Sequence, residues 1–289
     1  MTGQKIDGIT VANSVKDRVR IAAEVLREEG VTPCLATILV GENQASMTYV
    51  SNKQKACSEV GIQTKDHRLP ESFSQIEMNA LIDLLNKDDT IHGILVQLPL
   101  PKQLDEFSTT SRISPIKDVD GLTPYNVGLL SSGRAILKPC TPLGIMELFD
   151  YYKINLSGKN VVIINRSHLV GKPLYHMMLE KNATVTTCHS KTKNLKQHCL
   201  AADIIVTAIG DRSKFTLTAD MVPEGAIVID VGTSRENGKL AGDIDYENII
   251  KKASFATPVP GGVGPMTIAM LLKNTVTAAS ISKGFVSSR

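Results

Sequence analysis

Hydrophobic positions in the first half of the chain alternate between helical spacing and short continuous runs. A first helix is predicted by apolar residues three or four positions apart: Val11, Val15, Val19, Ala22 and Leu26. The run CLATILV after Gly30 predicts a buried strand, and a second helix is predicted from about Ser46 to Val60. A capping-box sequence at Ser74–Glu77 opens a third helix through Leu85, and GILVQLPLP predicts a strand that ends at its prolines.

The second half contains four apolar runs separated by polar or helical segments: VVIIN (161–165), TVTTC (184–188), DIIVTAI (203–209) and AIVIDVG (226–232). Their spacing of about 20 residues is typical of parallel strands that are joined by crossover helices. The pattern therefore predicts an α/β fold that contains a Rossmann-like, doubly wound parallel sheet.

The length of 289 residues suits two domains, with a hinge predicted in the segment Lys138–Leu143. The first domain would span residues 1–139 and the second residues 140–265. A final helix is predicted from about Met266 to Ser280, after the run TPVPGGVGP. The sequence alone leaves open which domain this helix contacts, and we assign residues 266–289 to the first.

Composition excludes several classes of protein. The chain has 32 basic and 29 acidic residues, a net charge of +3, which is too small to indicate nucleic acid or a membrane surface as the main partner. No apolar run approaches the roughly 20 residues of a membrane-spanning helix, and the first residues lack a signal-peptide layout. We therefore expect a cytoplasmic protein.

The five cysteines are odd in number, widely spread and free of any CxxC motif, so neither a disulfide framework nor a zinc ribbon is indicated. Cys188-His189 and His198-Cys199 are tempting as metal ligands only if the chain between them folds back. We interpret the first pair as the polar end of a buried strand and expect no metal.

The loop after the first strand of the second half is the candidate nucleotide site, because ligands bind at the carboxyl ends of parallel strands. This loop, Asn165–Gly171, keeps only one glycine and is not a GxGxxG fingerprint. An ordinary strand-to-helix turn therefore stays open as an alternative on these residues alone.

The second strand of that half ends in Cys188-His189-Ser190-Lys191, without the acidic residue that commonly binds the ribose of NAD. Arg166, Ser190 and Lys191 would instead accept a ribose phosphate, which predicts NADP as the cofactor. The alternative is that Arg166 and Lys191 are ordinary solvated surface charges.

Tyr49 and Lys53 are four residues apart on the second predicted helix, so their side chains share one face. A YxxxK pair is also the signature of short-chain dehydrogenases. That family begins with its dinucleotide fold, whereas here the pair precedes the nucleotide domain, so the order excludes it. Taken alone, the pair favours the plainer interpretation, an exposed helix face rich in lysine (Lys53, Lys55).

Three further segments change this balance: VQLPLP (96–101), DVDG (118–121) and PVPGGVGP (258–265). Together with YVSNK, KDVDGL, PCTPLGI, NRSHLVGKP, TVTTCHSKT and IDVGT, they show that the chain closely resembles the bifunctional methylenetetrahydrofolate dehydrogenase/methenyltetrahydrofolate cyclohydrolase family, nearly end to end. The resemblance implies a folate-binding catalytic domain followed by an NADP-binding domain. It also implies oxidation of 5,10-methylenetetrahydrofolate with NADP, hydrolysis of the methenyl product to 10-formyltetrahydrofolate for one-carbon metabolism and purine biosynthesis, and a homodimer joined through the nucleotide domains.

The resemblance also assigns site residues. Lys53 would be the acid/base residue, Tyr49 would orient the folate, Gln97 would tune Lys53, and Asp120 would bind the amino-pyrimidine edge of the pterin. Other substrate-binding positions would be Leu98, Pro260, Gly261 and Gly262. The cofactor-binding positions would be Thr141, Asn165, Arg166, Ser167, Ser190 and Val231. Many relatives have glycine where Asn165 stands, so we expect a slightly wider pyrophosphate turn.

The chemistry agrees with these roles, because a lysine with its usual pKa of about 10.4 would stay charged and oppose a cationic methenyl carbon unless burial lowered that pKa. Plainer interpretations stay open for two motifs: Asp-Gly at 120–121 is also a turn dipeptide, and GGVGP also suits a connector. Two rival functions also stay open, a dehydrogenase without the hydrolase step and a non-catalytic folate or nucleotide binder.

Overall fold

The computed structural model describes residues 3–236 and 238–285. Contacts between Cα atoms divide the chain into two compact units. One unit contains the described residues through Asn13 together with Thr141–Thr267, and the other contains Ser14–Cys140 and the C-terminal segment from Ile268. We call them the six-stranded unit and the three-stranded unit after their main sheets.

The longest helices, α1 and α10, lie near the two ends of the described chain. The helices are α1 (Gly8–Glu28), α2 (Gln44–Glu59), α3 (Gln75–Lys87), α4 (Glu106–Ser111), α5 (Pro124–Ser131), α6 (Cys140–Tyr151), α7 (Gly171–Glu180), α8 (Leu195–Leu200), α9 (Tyr246–Ile249) and α10 (Val263–Ser282). None of these helices has the length and apolar character that crossing a bilayer requires.

The strands are short and mostly parallel: β1 (Gln4–Lys5), β2 (Cys34–Val40), β3 (Gln63–Leu69), β4 (Gly93–Val96), β5 (Asn160–Ile164), β6 (Thr184–Cys188), β7 (Ile204–Thr207), β8 (Ile227–Asp230), β9 (Ser234–Glu236), β10 (Lys239–Ala241) and β11 (Phe255–Ala256). β9 and β10 form an antiparallel hairpin of their own.

The sheet of the three-stranded unit has the order β3-β2-β4, with both pairs parallel. All seven residues of β2 are buried, because this strand is central. One face packs against Met78, Ile82 and Leu85 of α3, a helix whose Ser74 and Glu77 form the predicted capping box. β3 was not predicted: all its residues before Leu69 are polar, and none of the seven is fully buried at this sheet edge.

The sheet of the six-stranded unit has the order β1-β11-β8-β7-β5-β6, and every pairing is parallel. The chain runs from β5 to β6 on one side and then crosses to β7 on the other side. This reversal places a ligand crevice at the carboxyl end of β5 in doubly wound sheets. The predicted parallel sheet is therefore present.

The grouping of residues differs from the predicted boundary at the start of the chain. The amides of Gln4 and Ile6 donate to carbonyl groups beside and within β11, at 2.8 and 2.9 Å, so β1 extends the six-stranded sheet. The predicted hinge near Pro139 is the point where α6 begins. The final helix begins at Val263 and ends at Ser282, slightly longer than predicted. The functional boundary between residues 139 and 140 stays a prediction.

Candidate active site

The Lys53 amine is the central group of the candidate site in the three-stranded unit. Only 6 % of Lys53 is exposed, and its Nζ donates to Oε1 of Gln97 at 3.1 Å. The same Nζ lies 4.5 Å from the ring centroid of Tyr49, one helical turn earlier on α2. Gln97 directly follows β4, which pairs with β2. The structure therefore brings together three of the predicted site residues.

Neighbouring backbone fixes the amide of Gln97. Its Nε2 donates to the carbonyl of Leu98 at 2.8 Å, and this bond leaves Oε1 directed at Lys53. The Gln97 backbone N–H donates to the carbonyl of Ile38 on β2 at 2.9 Å. The lysine thus meets a neutral acceptor whose orientation is set by two further hydrogen bonds.

Burial and charge act in opposite directions on Lys53. Burial lowers the pKa of its amine, because the ammonium form loses water, while the nearby carboxylate of Asp120 raises that pKa. Burial likewise raises the pKa of Asp120, and Lys53 opposes this shift. Asp120 therefore belongs to the same electrostatic cluster as Lys53.

Asp118 and Asp120 have different environments although only one residue separates them. The carboxylate of Asp118 accepts hydrogen bonds from the backbone amides of Leu122 and Thr123, at 3.1 and 2.8 Å, and from Nδ2 of Asn126 at 2.8 Å. Asp118 therefore holds the turn into α5. The Asp120 carboxylate has no backbone donor among the described residues, so it keeps the capacity to bind a ligand.

The loop after β5 in the six-stranded unit is organised by Asn165. Its Oδ1 accepts from the backbone amides of Ser167 and Gly171, at 2.7 and 3.0 Å, and from the Ser167 hydroxyl at 2.7 Å. Its Nδ2 donates to the carbonyl of Ala208 after β7 at 2.5 Å. A side chain at Gly171 would place its Cβ 2.2 Å from the carbonyl oxygen of Asn165, so only glycine fits there. Asn165 therefore shapes the nucleotide loop.

The groups expected to bind phosphate are accessible in this loop. Arg166, Ser190 and Lys191 are exposed, and Arg166 and Lys191 form no ion pair within the described chain. The backbone after β6 is tied into a turn, because His189 donates its N–H to Thr192 Oγ1 at 2.9 Å. No acidic residue lies at the end of β6.

The remaining predicted positions lie elsewhere in the six-stranded unit. Thr141 shares a hydroxyl hydrogen bond of 2.8 Å with Thr267, and the Val231 amide donates to the carbonyl of Thr207 at 2.8 Å. The turn Pro260–Gly262 packs against the start of α1, where the Gly8 amide donates to the Gly261 carbonyl at 2.9 Å. These glycines therefore have a packing role of their own.

Sequence reasoning missed a buried carboxylate pair at the ends of β7 and β8. Asp230 accepts from the backbone amides of Gly232, Asp243 and Ile244, and burial raises its pKa to about 6. Asp243 in turn accepts from the amides of Ile209 and Gly210, at 2.6 and 2.9 Å. Asp230 ends an otherwise apolar run, and that polar ending was the available signal.

In the described part of the chain, no group of three or more histidine, cysteine, aspartate or glutamate side chains is placed to hold a metal ion. Cys188 and Cys199 are buried in the hydrophobic core of the six-stranded unit instead. Cys140 has different surroundings, because its thiol lies beside the Asp120 carboxylate. Burial raises the pKa of this thiol, and the nearby Asp120 raises it further.

Fold and site together define a two-unit α/β enzyme with a nucleotide-binding crevice and a separately built amine site. A family model described as the tetrahydrofolate dehydrogenase/cyclohydrolase catalytic domain matches residues 6–120. A second, described as the NAD(P)-binding domain of the same family, matches residues 139–283. The chain belongs to the tetrahydrofolate dehydrogenase/cyclohydrolase family.

Similar proteins agree with this assignment. The bifunctional protein FolD of Nitrosopumilus maritimus is 68% identical to the chain, with 98% of each chain covered. The crystal structure of the bifunctional enzyme FolD from Campylobacter jejuni is 47% identical, with a TM-score of 0.94, and 98% of this chain and 99% of that chain are covered. The Trypanosoma brucei enzyme, solved with NADP cofactor and inhibitor, is 36% identical over 97% of this chain and 98% of that chain, with a TM-score of 0.92.

These matches confirm the predicted family, the α/β fold class with a catalytic and an NAD(P)-binding domain, and the prediction of an enzyme that is both a dehydrogenase and a cyclohydrolase.

The contrast between Asp118 and Asp120 yields a first prediction. Asp118→Asn replaces an acceptor of three hydrogen bonds with a side chain that presents an NH₂ group to donors, so we expect a loss of roughly 1–3 kcal/mol in the free energy of unfolding. Asp120→Asn removes a desolvated charge without a backbone donor and should lower the thermal midpoint much less. Thermal and urea unfolding of both variants, followed by circular dichroism, checks this. A larger loss for Asp120→Asn would contradict it.

Proposed function

We propose that the chain oxidises 5,10-methylenetetrahydrofolate to the methenyl form with NADP and then hydrolyses that form to 10-formyltetrahydrofolate, with Lys53 acting in both steps. The observation that carries the residue assignment is the buried Lys53 amine, held between the Gln97 carbonyl oxygen and the Tyr49 ring. Membership of the family supports the two reactions.

Lys53 suits both reactions because burial favours its neutral form. Hydride loss from the methylene bridge leaves a carbon whose positive charge is shared by two nitrogens, and a neutral amine tolerates this cation better than an ammonium group. In the hydrolysis, neutral Lys53 accepts a proton from the attacking water, and its ammonium form protonates the departing ring nitrogen as the C–N bond breaks. The remaining hydroxyl proton leaves to solvent as the formyl carbonyl forms.

Gln97 holds the amine without adding negative charge. A carboxylate at the same position would raise the pKa of Lys53 and keep it protonated. The Gln97 amide offers one oxygen acceptor, and its NH₂ end is already bonded to Leu98. By accepting one N–H of Lys53, Gln97 fixes the orientation of the amine and leaves the charge of the site unchanged.

Asp120 is the proposed receptor for the pterin. An ionised carboxylate accepts two parallel hydrogen bonds from an amino-pyrimidine edge and so fixes the orientation of the ring. The freedom of Asp120 from backbone donors supports this role, in contrast with the saturated Asp118. Tyr49, Leu98 and the Pro260–Gly262 turn complete the proposed substrate-binding set.

NADP is the proposed dinucleotide, and its nicotinamide supplies the hydride acceptor when it is bound. Within the described chain the backbone amides of Arg166, His168 and Leu169 have no internal acceptor, so they remain available to phosphate oxygens. The exposed Arg166 and Ser190 suit a ribose phosphate, and no carboxylate at the end of β6 opposes it. Thr141, Asn165, Ser167 and Val231 complete the cofactor-binding set.

The rival functions differ in measurable ways. A dehydrogenase without hydrolase activity would form NADPH but leave the methenyl product to decay at its spontaneous rate. A non-catalytic binder would bind folate and NADP without forming NADPH. Following NADPH formation and methenyl decay together, with methylenetetrahydrofolate as substrate, separates all three.

We also propose that the chain acts in the cytoplasm, where its 10-formyl product supplies purine biosynthesis, and that it is a homodimer joined through the six-stranded unit. The five free thiols suit a reducing compartment. Of the two edge strands of the six-stranded sheet, β1 has two residues whereas β6 has five and pairs only with β5. An edge of this length invites pairing with a second copy.

The role of Lys53 is tested by Lys53→Met, which keeps the apolar stem and removes the amine. We expect cyclohydrolase turnover to fall by at least about 100-fold, because general acid–base catalysis contributes about that much or more. Lys55→Met is the matched control, since Lys55 is exposed on the same helix. The measurement is the rate of methenyl decay for each variant, expressed as a ratio to the wild-type rate. Full turnover by Lys53→Met would refute the mechanism.

The cofactor assignment is tested by Arg166→Ala. Loss of the guanidinium should lower kcat/KM for NADP about tenfold or more and leave kcat/KM for NAD nearly unchanged, because only NADP carries the ribose phosphate. Lys181→Ala is the control, an exposed cation of the same unit at the opposite end of β6. Equal losses with both dinucleotides would show that Arg166 does not select NADP.

The dimer is tested by Val185→Lys on the edge strand β6. A lysine there should block strand addition, so the variant should sediment as a monomer of about half the wild-type mass while keeping its circular dichroism spectrum. Gln4→Lys on the opposite edge strand β1 should leave the dimer intact. A monomeric wild-type protein, or a dimeric Val185→Lys variant, would contradict the proposed interface.

A further inference from the structure

Asn274 is a buried polar residue that the proposed reaction does not yet use. It lies in the middle of α10, and only 2 % of it is exposed. Its Nδ2 donates to the backbone carbonyls of Val119 and Lys138, at 2.8 and 2.9 Å. Because both neighbours are carbonyl oxygens, only the NH₂ end of the amide fits there. One side chain thus ties together two segments that are distant in sequence.

Those two segments surround Asp120. Val119 precedes it, and Lys138 lies two residues before Cys140, whose thiol contacts both the Asp120 carboxylate and, at 3.3 Å, the Val119 carbonyl. Asn274 Nδ2 also lies 3.7 Å from the Cys140 sulfur. Asp120 therefore sits where the segments 119–121 and 138–140 meet, and Asn274 bonds to both.

The packing at this crossing leaves little freedom. Gly121 has a φ of 65°, and a Cβ there would lie 2.6 Å from the carbonyl carbon of Lys138. The carboxylate of Asp120 has no backbone donor of its own in the described chain, unlike that of Asp118. The position of the Asp120 carboxylate therefore depends on the positions of its own backbone and of the Cys140 thiol.

We infer that Asn274 is a positioning residue for folate binding: by bonding the Val119 and Lys138 carbonyls, it fixes the Asp120 carboxylate for the pterin edge. The inference rests on the proposed function, in which Asp120 binds the pterin. Small displacements of a binding group cost large factors in rate and binding, so the amide acts on the reaction without touching the substrate.

The test compares Asn274→Ala with Thr275→Val, its neighbour on α10. Thr275 is also fully buried, but its hydroxyl donates to the Leu271 carbonyl within the helix. We expect Asn274→Ala to raise KM for methylenetetrahydrofolate about tenfold, to change KM for NADP less than about twofold, and to shift the pH profile of the cyclohydrolase step. Thr275→Val should leave all three near their wild-type values.

A double-mutant cycle distinguishes an effect that acts through Asp120 from a general loss of stability. If Asn274 acts through Asp120, Asn274→Ala should raise the folate KM less than about twofold in an Asp120→Asn background. Asn274→Ser, whose shorter side chain cannot reach both carbonyls, gives a second measurement if Asn274→Ala does not fold. An unchanged folate KM in a folded variant, a parallel rise in KM for NADP, or an equal effect in both backgrounds would overturn the inference. A wild-type chain without turnover would instead contradict the proposed function.

Discussion

The protonation of one buried amine is the constraint on which the rest of the candidate site depends. Transferring an ammonium group out of water is costly unless it is paired, so burial alone would drive Lys53 to its neutral form. The Asp120 carboxylate works against this by attracting the charged form. Gln97 and Tyr49 hold the amine without a formal charge, so the balance between burial and a single carboxylate sets the state of the lysine.

The fold was predictable where apolar periodicity was strong. β2 and β6 begin and end at the predicted residues, because continuous apolar or β-branched runs form strands in parallel sheets. β3 escaped prediction because an edge strand tolerates polar side chains. The two-residue β1 was also missed, since its pairing with β11 depends on contacts roughly 250 residues away in the chain.

The predicted hinge segment coincides with the start of α6. The two compact units of the chain divide between Cys140 and Thr141, inside that segment. Pro142 lies in the first turn of α6, where the missing N–H of proline leaves no helical hydrogen bond unmade. The motifs that carry the family resemblance pointed to Lys53, Gln97 and Asp120, whose roles stay predictions. They gave no indication of Asn274, whose partners are up to 155 positions away in the sequence and are backbone carbonyls that any residue carries.

The two aspartates of the DVDG motif connect substrate binding with the state of the lysine. Asp118 accepts three hydrogen bonds from its own turn. Burial raises the pKa of Asp120, Lys53 lowers it, and the neighbouring Asp118 carboxylate raises it further. In the proposed function, an amino-pyrimidine edge would engage the Asp120 carboxylate and share the charge that stabilises the Lys53 ammonium form. Because water is also displaced, binding of the substrate would then favour the neutral amine. The cationic carbon would therefore form beside a lysine that its own precursor has helped to deprotonate.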